Sequence, residues 1–263
     1  MTTLRELWDR GGVTVGGWCV IPNAFSAELM GRSGFDWVCL DTQHGLIGHD
    51  QLSPMLQALA ITDTPAFVRV PWNTPGDIMK ALDAGAQGVI VPMVNSAEEA
   101  RRVVGACRYP PEGYRSWGPV RASLGVDGYS PQVGNQRVVV AVMIETAAGV
   151  AAADEIVSVP GVDAVYVGPN DLAITHGLQP SADAFGDEHA QLVESILAAC
   201  QRHHVMPGIH CGSVDVARRW LDRGFRMLNV TSDAVFMRTG AAAVLRALAE
   251  KPAPAQPASS SYA

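Results

Sequence analysis

Short apolar runs rich in valine and isoleucine alternate with longer stretches of helical periodicity along most of the chain. Eight such runs begin at Thr14 (TVGGWCVI), Trp37 (WVCLD), Ala66 (AFVRV), Gly88 (GVIVP), Val138 (VVVAVMIE), Asp163 (DAVYV), Val205 (VMPGI) and Arg226 (RMLNV). Runs of this length with little polar alternation fit strands covered on both faces, as in a parallel sheet. Between them, residues 26–32, 51–61, 75–84, 97–107, 150–157, 189–203 and 214–223 carry helix-like patterns, and residues 234–250 form a last one. Eight βα units in succession predict an α/β protein, a (β/α)8 barrel closed on itself.

Two segments break the rhythm. Residues 109–136, rich in proline, glycine and aromatics, read as a long loop between the fourth and fifth strands, and loops of that length are usually functional or disordered. Residues 252–263, PAPAQPASSSYA after Lys251, read as a flexible tail beyond one barrel domain spanning residues 1–251. The total of 263 residues is close to the roughly 250 typical of such a barrel.

Composition narrows the function. The chain is 48% hydrophobic with a formal charge of −7, and its arginines are scattered rather than gathered in a stripe, which argues against a nucleic-acid partner. No apolar run of about 18 residues and no signal-peptide core is present, so neither membrane insertion nor secretion is expected. Five cysteines without a C-x-x-C pair read as reduced thiols of a cytoplasmic protein.

Reactive groups of such barrels sit at the carboxyl ends of the strands and in the loops that follow. His44 follows the second run in LDTQHG, Arg69 ends the third in VRVP, Glu145 ends the fifth in VMIET, and Asp171 follows the sixth in VGPND. Glu145 terminates a wholly apolar run, where an ionised carboxylate requires a cation or a proton. Together with Asp171 it would suit a hard divalent ion such as Mg²⁺ or Mn²⁺. The competing readings are a structural pair of Glu145 with Arg69 and a helix cap at Asp171. An arginine in an apolar strand needs an anion, which a substrate carboxylate or a core ion pair would supply equally. His44 is either a proton carrier or a solvated loop residue.

Only Lys80 and Lys251 exist, neither at a strand end, which disfavours Schiff-base chemistry. His189, His203 and His204 fall in helical patterns, leaving His44 and His210 as the usefully placed histidines, too few for a zinc hydrolase. Neither a P-loop nor a G-x-G-x-x-G fingerprint appears.

The segments GGWCVIPN, FDWVCLDTQHG, RVPWN, KALDAGAQGVIVPMV, RYPPEGYRS, VMIET and VGPNDLA together resemble the HpcH/HpaI aldolase family, the class II pyruvate aldolases. The resemblance covers nearly the whole chain. It implies reversible aldol chemistry between pyruvate, or a related 2-oxo acid such as hydroxypyruvate, and an aldehyde. The divalent ion, Mg²⁺ or Mn²⁺ with Co²⁺ as a further option, is implied to sit on Glu145 and Asp171. Arg69 is implied to stabilise the enolate, and His44, supported by Asp83 in LDAGA, to act as acid and base. Asp41 is implied to orient the His44 loop, and Trp18, Met143, Asn170 and His210 to line the substrate pocket. It also implies a homo-oligomer, a hexamer built as a trimer of dimers, with a C-terminal helix exchanged between subunits.

Met143, Ser116-Trp117, Asn170 and His210 depart from the commonest family pattern, which leaves the identity of both reactants open. Three other readings remain: a metal-dependent acyl-CoA lyase of the citrate lyase β-subunit or malyl-CoA type, a decarboxylase of oxaloacetate, and a non-catalytic 2-oxo-acid-binding protein. The first would need basic residues gathered for a CoA phosphate, and no such cluster is seen.

Overall fold

In a computed structural model describing residues 3–180 and 186–249, eight parallel strands close into a barrel in sequence order. They are β1 (Thr14–Cys19), β2 (Trp37–Asp41), β3 (Ala66–Arg69), β4 (Gly88–Val91), β5 (Val139–Ile144), β6 (Ala164–Val167), β7 (Met206–Cys211) and β8 (Met227–Val230). β1 pairs with β2 on one side and with β8 on the other, which completes the closure. All eight expected runs contain a strand, and the helices between them pack on the outside. The expected tail, residues 252–263, lies outside the described residues.

Alternation along each strand sorts side chains into two cores. Val38, Leu40, Val140, Val142, Ile144, Val165 and Val167 point outwards and pack beneath the helices. Trp18, Trp37, Cys39, Phe67, Ile90, Val139, Ala141, Met143, Ala164, Tyr166 and Met227 fill the lumen. The lumen is crowded enough to require glycine on its walls: a Cβ on Gly16 would sit 2.3 Å from the Trp37 ring, and one on Gly88 2.3 Å from the Phe67 ring.

A helix at Leu4–Asp9, begun by a Thr3/Glu6 capping box, closes the amino end of the barrel. Leu4 and Trp8 join the lumen cluster, and the Trp8 indole donates to the Thr14 hydroxyl at 3.0 Å. Arg5 pins this helix to Asp163 at the start of β6 with contacts of 2.9 and 2.8 Å.

Two details differ from the sequence reading. The 109–136 segment contains a helix, Pro131–Arg137, begun by Ser130, whose hydroxyl accepts from the Val133 N–H. The rest of that segment packs at the amino end of the barrel, because it follows the helix Ala97–Cys107 and leads into β5 from below. The stretch read as one helix over 150–157 is two, Ala147–Ala151 and Ala153–Val157, broken at Ala152.

Candidate functional site

The lumen pattern carries polarity to the carboxyl rim. Positions 37, 39 and 41 share one face of β2, 67 and 69 one face of β3, and 139, 141, 143 and 145 one face of β5 and its extension. The last inward position on each is Asp41, Arg69 and Glu145. Trp18, His44, Arg69, Met143, Glu145, Tyr166, Gly168, Pro169, Asn170, Asp171 and His210 line one cavity of about 120 Å³ there.

Arg69 lines it, and Asp41 lies buried behind the guanidinium. The guanidinium Nε and Nη2 donate to Oδ1 and Oδ2 of Asp41 at 2.9 and 2.5 Å, a bidentate pair. The same carboxylate accepts the Trp18 indole N–H at 3.3 Å and the backbone N–H groups of Gln43 and His44 at 3.1 and 3.2 Å. Asp41 thereby fixes the start of the loop that carries His44, which is exposed at the cavity mouth. Burial raises the Asp41 pKa, but Arg69 and the other donors outweigh it and hold the carboxyl below its ordinary value. The Arg69 guanidinium also lies 5.0 Å from the Trp18 ring centroid, a cation–π contact. Arg69 therefore pairs with Asp41, and the expected alternative of a Glu145–Arg69 bridge is not what the structure contains.

Glu145 is 2% exposed. Its Oε1 accepts the Met93 N–H at 2.9 Å. Met93 takes φ +58°, a conformation that costs a side-chain-bearing residue energy and that turns its amide towards the carboxylate. Asn95 holds this turn, donating to the Met93 carbonyl at 2.9 Å and accepting the Thr146 hydroxyl, so the residues on both sides of the carboxylate are tied together. Burial is the main cause that pushes the Glu145 pKa up to about 7; the Met93 N–H opposes it, the charge of Asp171 adds to it, and Arg69 opposes it.

Asp171 stands in the first turn of the helix Pro169–Thr175, with Pro169 at its start. It lines the cavity, but it is not the cap of a helix beginning at Leu172: the helix starts three residues earlier, its N-cap is Gly168, and no side chain caps it. Gly168 is required by proximity, since a Cβ there would fall 2.2 Å from Oε2 of Glu145. His189 on the helix Asp187–His203 hydrogen-bonds the Pro169 backbone beneath this turn, and burial pulls its pKa down.

The carboxylates of Glu145 and Asp171 face the same small space, and among the described residues neither makes a salt bridge. Two hard oxygen donors, one of them desolvated, fit a divalent cation whose other positions are filled by water or substrate oxygens. No group of three or more His, Cys, Asp or Glu suited to a metal occurs among the described residues, so protein ligands alone would leave coordination positions open.

Asp83 is not brought to His44 within the chain. It ends the helix Pro75–Asp83, which runs back to the amino end of the barrel, and its carboxylate binds the buried Arg115 at 2.6 Å. A helix that returns antiparallel to its strand delivers its last residue to the rim opposite the cavity. The sequence reading also missed Tyr166 and Asn229, which stand behind Trp18 and His210. The Trp18 and Tyr166 rings stack with centroids 5.8 Å apart, and the Tyr166 hydroxyl donates to Asn229 Oδ1. Tyr166 continues the inward register of β6, and Asn229 that of β8, so the two-residue period was the signal that could have found them.

The fold and cavity define a (β/α)8-barrel protein with an acidic, arginine-bearing site at the carboxyl rim. The chain belongs to the HpcH/HpaI aldolase/citrate lyase family, whose model matches residues 15–239. It is 40% identical over 249 residues to the hydroxypyruvate/pyruvate aldolase of Rhizorhabdus wittichii, spanning 93% of this chain and 98% of the relative. It is 37% identical over 248 residues to the 2-dehydro-3,6-dideoxy-6-sulfogluconate aldolase of Pseudomonas putida, spanning 93% and 96% respectively. A solved HpcH/HpaI aldolase/citrate lyase family protein from Burkholderia cenocepacia superposes with a TM-score of 0.87 at 28% identity, covering 93% of this chain and 98% of that one.

Proposed function

We propose that the chain is a divalent-metal-dependent aldolase that joins pyruvate, or a related 2-oxo acid such as hydroxypyruvate, to an aldehyde and reverses that reaction. The observation that carries this reading is the meeting of Glu145, Asp171 and Arg69 around one cavity, with His44 at its mouth. Glu145 and Asp171 would hold the cation, Mg²⁺ or Mn²⁺ by their donor chemistry, with Co²⁺ as a further option. When bound, it supplies a Lewis acid that lowers the cost of negative charge on the keto oxygen of a 2-oxo acid.

Arg69 adds a fixed positive charge beside the same space. Because Asp41 grips it through two hydrogen bonds, it needs no reorganisation as the enolate charge develops. In the cleavage direction His44 takes the proton of the aldol hydroxyl. The carbon–carbon bond breaks, its electron pair passes into the enolate, and the aldehyde leaves. His44 then returns the proton it took, directly or through water, to the enolate carbon, which gives the 2-oxo acid and restores the imidazole. Met143 and Trp18 wall the cavity with apolar surface that limits water around the charged groups. Asn170 and the N–H groups at the start of the helix Pro169–Thr175 are suited to a substrate carboxylate.

A homo-oligomer, a hexamer built from dimers, is part of the proposal. Val235, Phe236, Met237, Val244, Leu245 and Leu248 on the helix Asp233–Ala249 are exposed, an apolar surface that a second subunit would cover. A cytoplasmic location accords with five buried, unpaired cysteines. No described helix is long and apolar enough to cross a membrane.

Incubation with pyruvate in deuterium oxide tests the chemistry. Exchange of the methyl protons is expected with Mg²⁺ or Mn²⁺ and is expected to vanish in Glu145→Ala and Asp171→Ala. Failure to exchange with every divalent ion tried would overturn the reading.

A further inference from the structure

Glu145 is held at one oxygen only. Its Oε1 accepts the Met93 N–H at 2.9 Å, while Oε2 lies on the side of Gly168, where an added Cβ would fall 2.2 Å from it. Gly168 precedes the helix that carries Asp171. Oε2 is therefore the oxygen turned towards the segment bearing the second acid, and the Met93 amide fixes that choice.

This amide is presented by an unfavourable turn. Met93 follows β4 at φ +58°, and the chain comes back at once to β5, where the Val94 N–H donates to the Met143 carbonyl at 3.1 Å. A residue with a Cβ keeps such a conformation only where its surroundings impose it. Asn95 imposes it here. Its Nδ2 donates to the Met93 carbonyl at 2.9 Å, and its Oδ1 accepts the hydroxyl of Thr146, whose own oxygen accepts the Gly149 N–H at 3.0 Å. Turned over, the amide would set its oxygen against the Met93 carbonyl, so both ends of the side chain are assigned. The Asn95 backbone is anchored separately, its N–H donating to Glu99 Oε2 at 2.7 Å. One side chain thus spans from the turn after β4 to the neighbour of Glu145.

We propose that Asn95 is a positioning residue for the cation: by holding Met93 in its left-handed turn it keeps the Met93 amide on Oε1 and leaves Oε2 for the ion. Without it Met93 relaxes towards negative φ, the amide leaves Oε1, and the ion must itself order the carboxylate, at a cost in affinity. This rests on the reading of Glu145 and Asp171 as the residues that hold a divalent ion.

Calorimetric titration of Mn²⁺ into the full chain without substrate reads the affinity independently of turnover. Asn95→Ala is expected to weaken binding about tenfold. Met93→Gly alone should shift it by less than about threefold, because glycine adopts a positive φ without strain; added to Asn95→Ala, it is expected to recover about threefold or more of the loss. A general loosening of the fold would not give that rescue, since removing the Met93 side chain only takes packing away. Asn95→Ser, too short to span both partners, replaces the Ala variant should that fold poorly. An Asn95→Ala protein that binds Mn²⁺ as tightly as wild type, or a double variant no tighter than Asn95→Ala, would overturn the assignment. A wild-type protein that binds neither Mn²⁺ nor Mg²⁺ would instead remove the metal reading, and this assignment with it.

Discussion

Replacing Glu145 by Gln separates what the carboxylate does for the site from what it costs the fold. The side chain is 2% exposed and its pKa stands at about 7 against an ordinary 4.5, chiefly because burial disfavours the charge. That displacement corresponds to about 3 kcal/mol, at roughly 1.4 kcal/mol per pH unit. A folded pKa above the unfolded one gives stability that is complete below pH 4.5 and is lost as the pH rises through about 7. Glutamine keeps an oxygen to accept the Met93 N–H but carries no charge. In chelator, Glu145→Gln is therefore expected to be more stable than wild type at pH 8.5 by up to about 3 kcal/mol, with the difference shrinking towards zero below pH 4.5. Saturating Mn²⁺ should reverse the order, since only the wild type gains the free energy of binding. Urea unfolding midpoints, with and without chelator at both pH values, read these differences. A variant no more stable than wild type at pH 8.5 in chelator, or a gap independent of pH, would refute the idea that a desolvated carboxylate awaits a cation here.

Three further perturbations probe the supports of the site. Arg69→Ala leaves Asp41 buried without its bidentate partner and is expected to cost about 3–5 kcal/mol in urea unfolding; Arg69→Lys, which cannot match both oxygens, should also lose proton exchange on pyruvate. Gly168→Ala places a methyl 2.2 Å from Oε2 of Glu145, so calorimetric titration should show Mn²⁺ affinity weakened about tenfold or more while the far-ultraviolet circular dichroism is unchanged. Trp8→Ala empties the plug at the amino end and deprives the Thr14 hydroxyl of its donor, and it should cost about 3–5 kcal/mol, read by urea unfolding, with the kcat of the folded fraction retained.

The eight strands were legible because a strand covered on both faces is written as a run of valines and isoleucines, and β2 matches its expected run residue for residue. Boundaries failed where one local preference competed with another. Pro131 breaks an extended reading yet also begins a helix capped by Ser130, and Ala152 interrupts an alanine-rich stretch whose composition gave no sign of a break. Non-local pairing was less accessible. Arg69 announced that it needed an anion, but Asp41, 28 residues earlier, could be told from Glu145 only in three dimensions. For Asp83 the residue type was suggestive and the direction of its helix decisive, since that helix carries it to Arg115 at the opposite rim.

The two ends of the barrel explain why polarity appears where it does. On β2, β3 and β5 the inward positions below the last are apolar: Trp37 and Cys39 below Asp41, Phe67 below Arg69, and Val139, Ala141 and Met143 below Glu145. The amino end is shut by Leu4 and Trp8, so a charge there would be buried without compensation. At the carboxyl end no further layer follows. A charged side chain at the last inward position is held on one side by the lumen and opens on the other to the cavity, which is the condition for a group both oriented and reachable. The strand register thus selects Asp41, Arg69 and Glu145 together. They differ in how they are held: Asp41 is paired with Arg69, whereas Glu145 makes no salt bridge among the described residues.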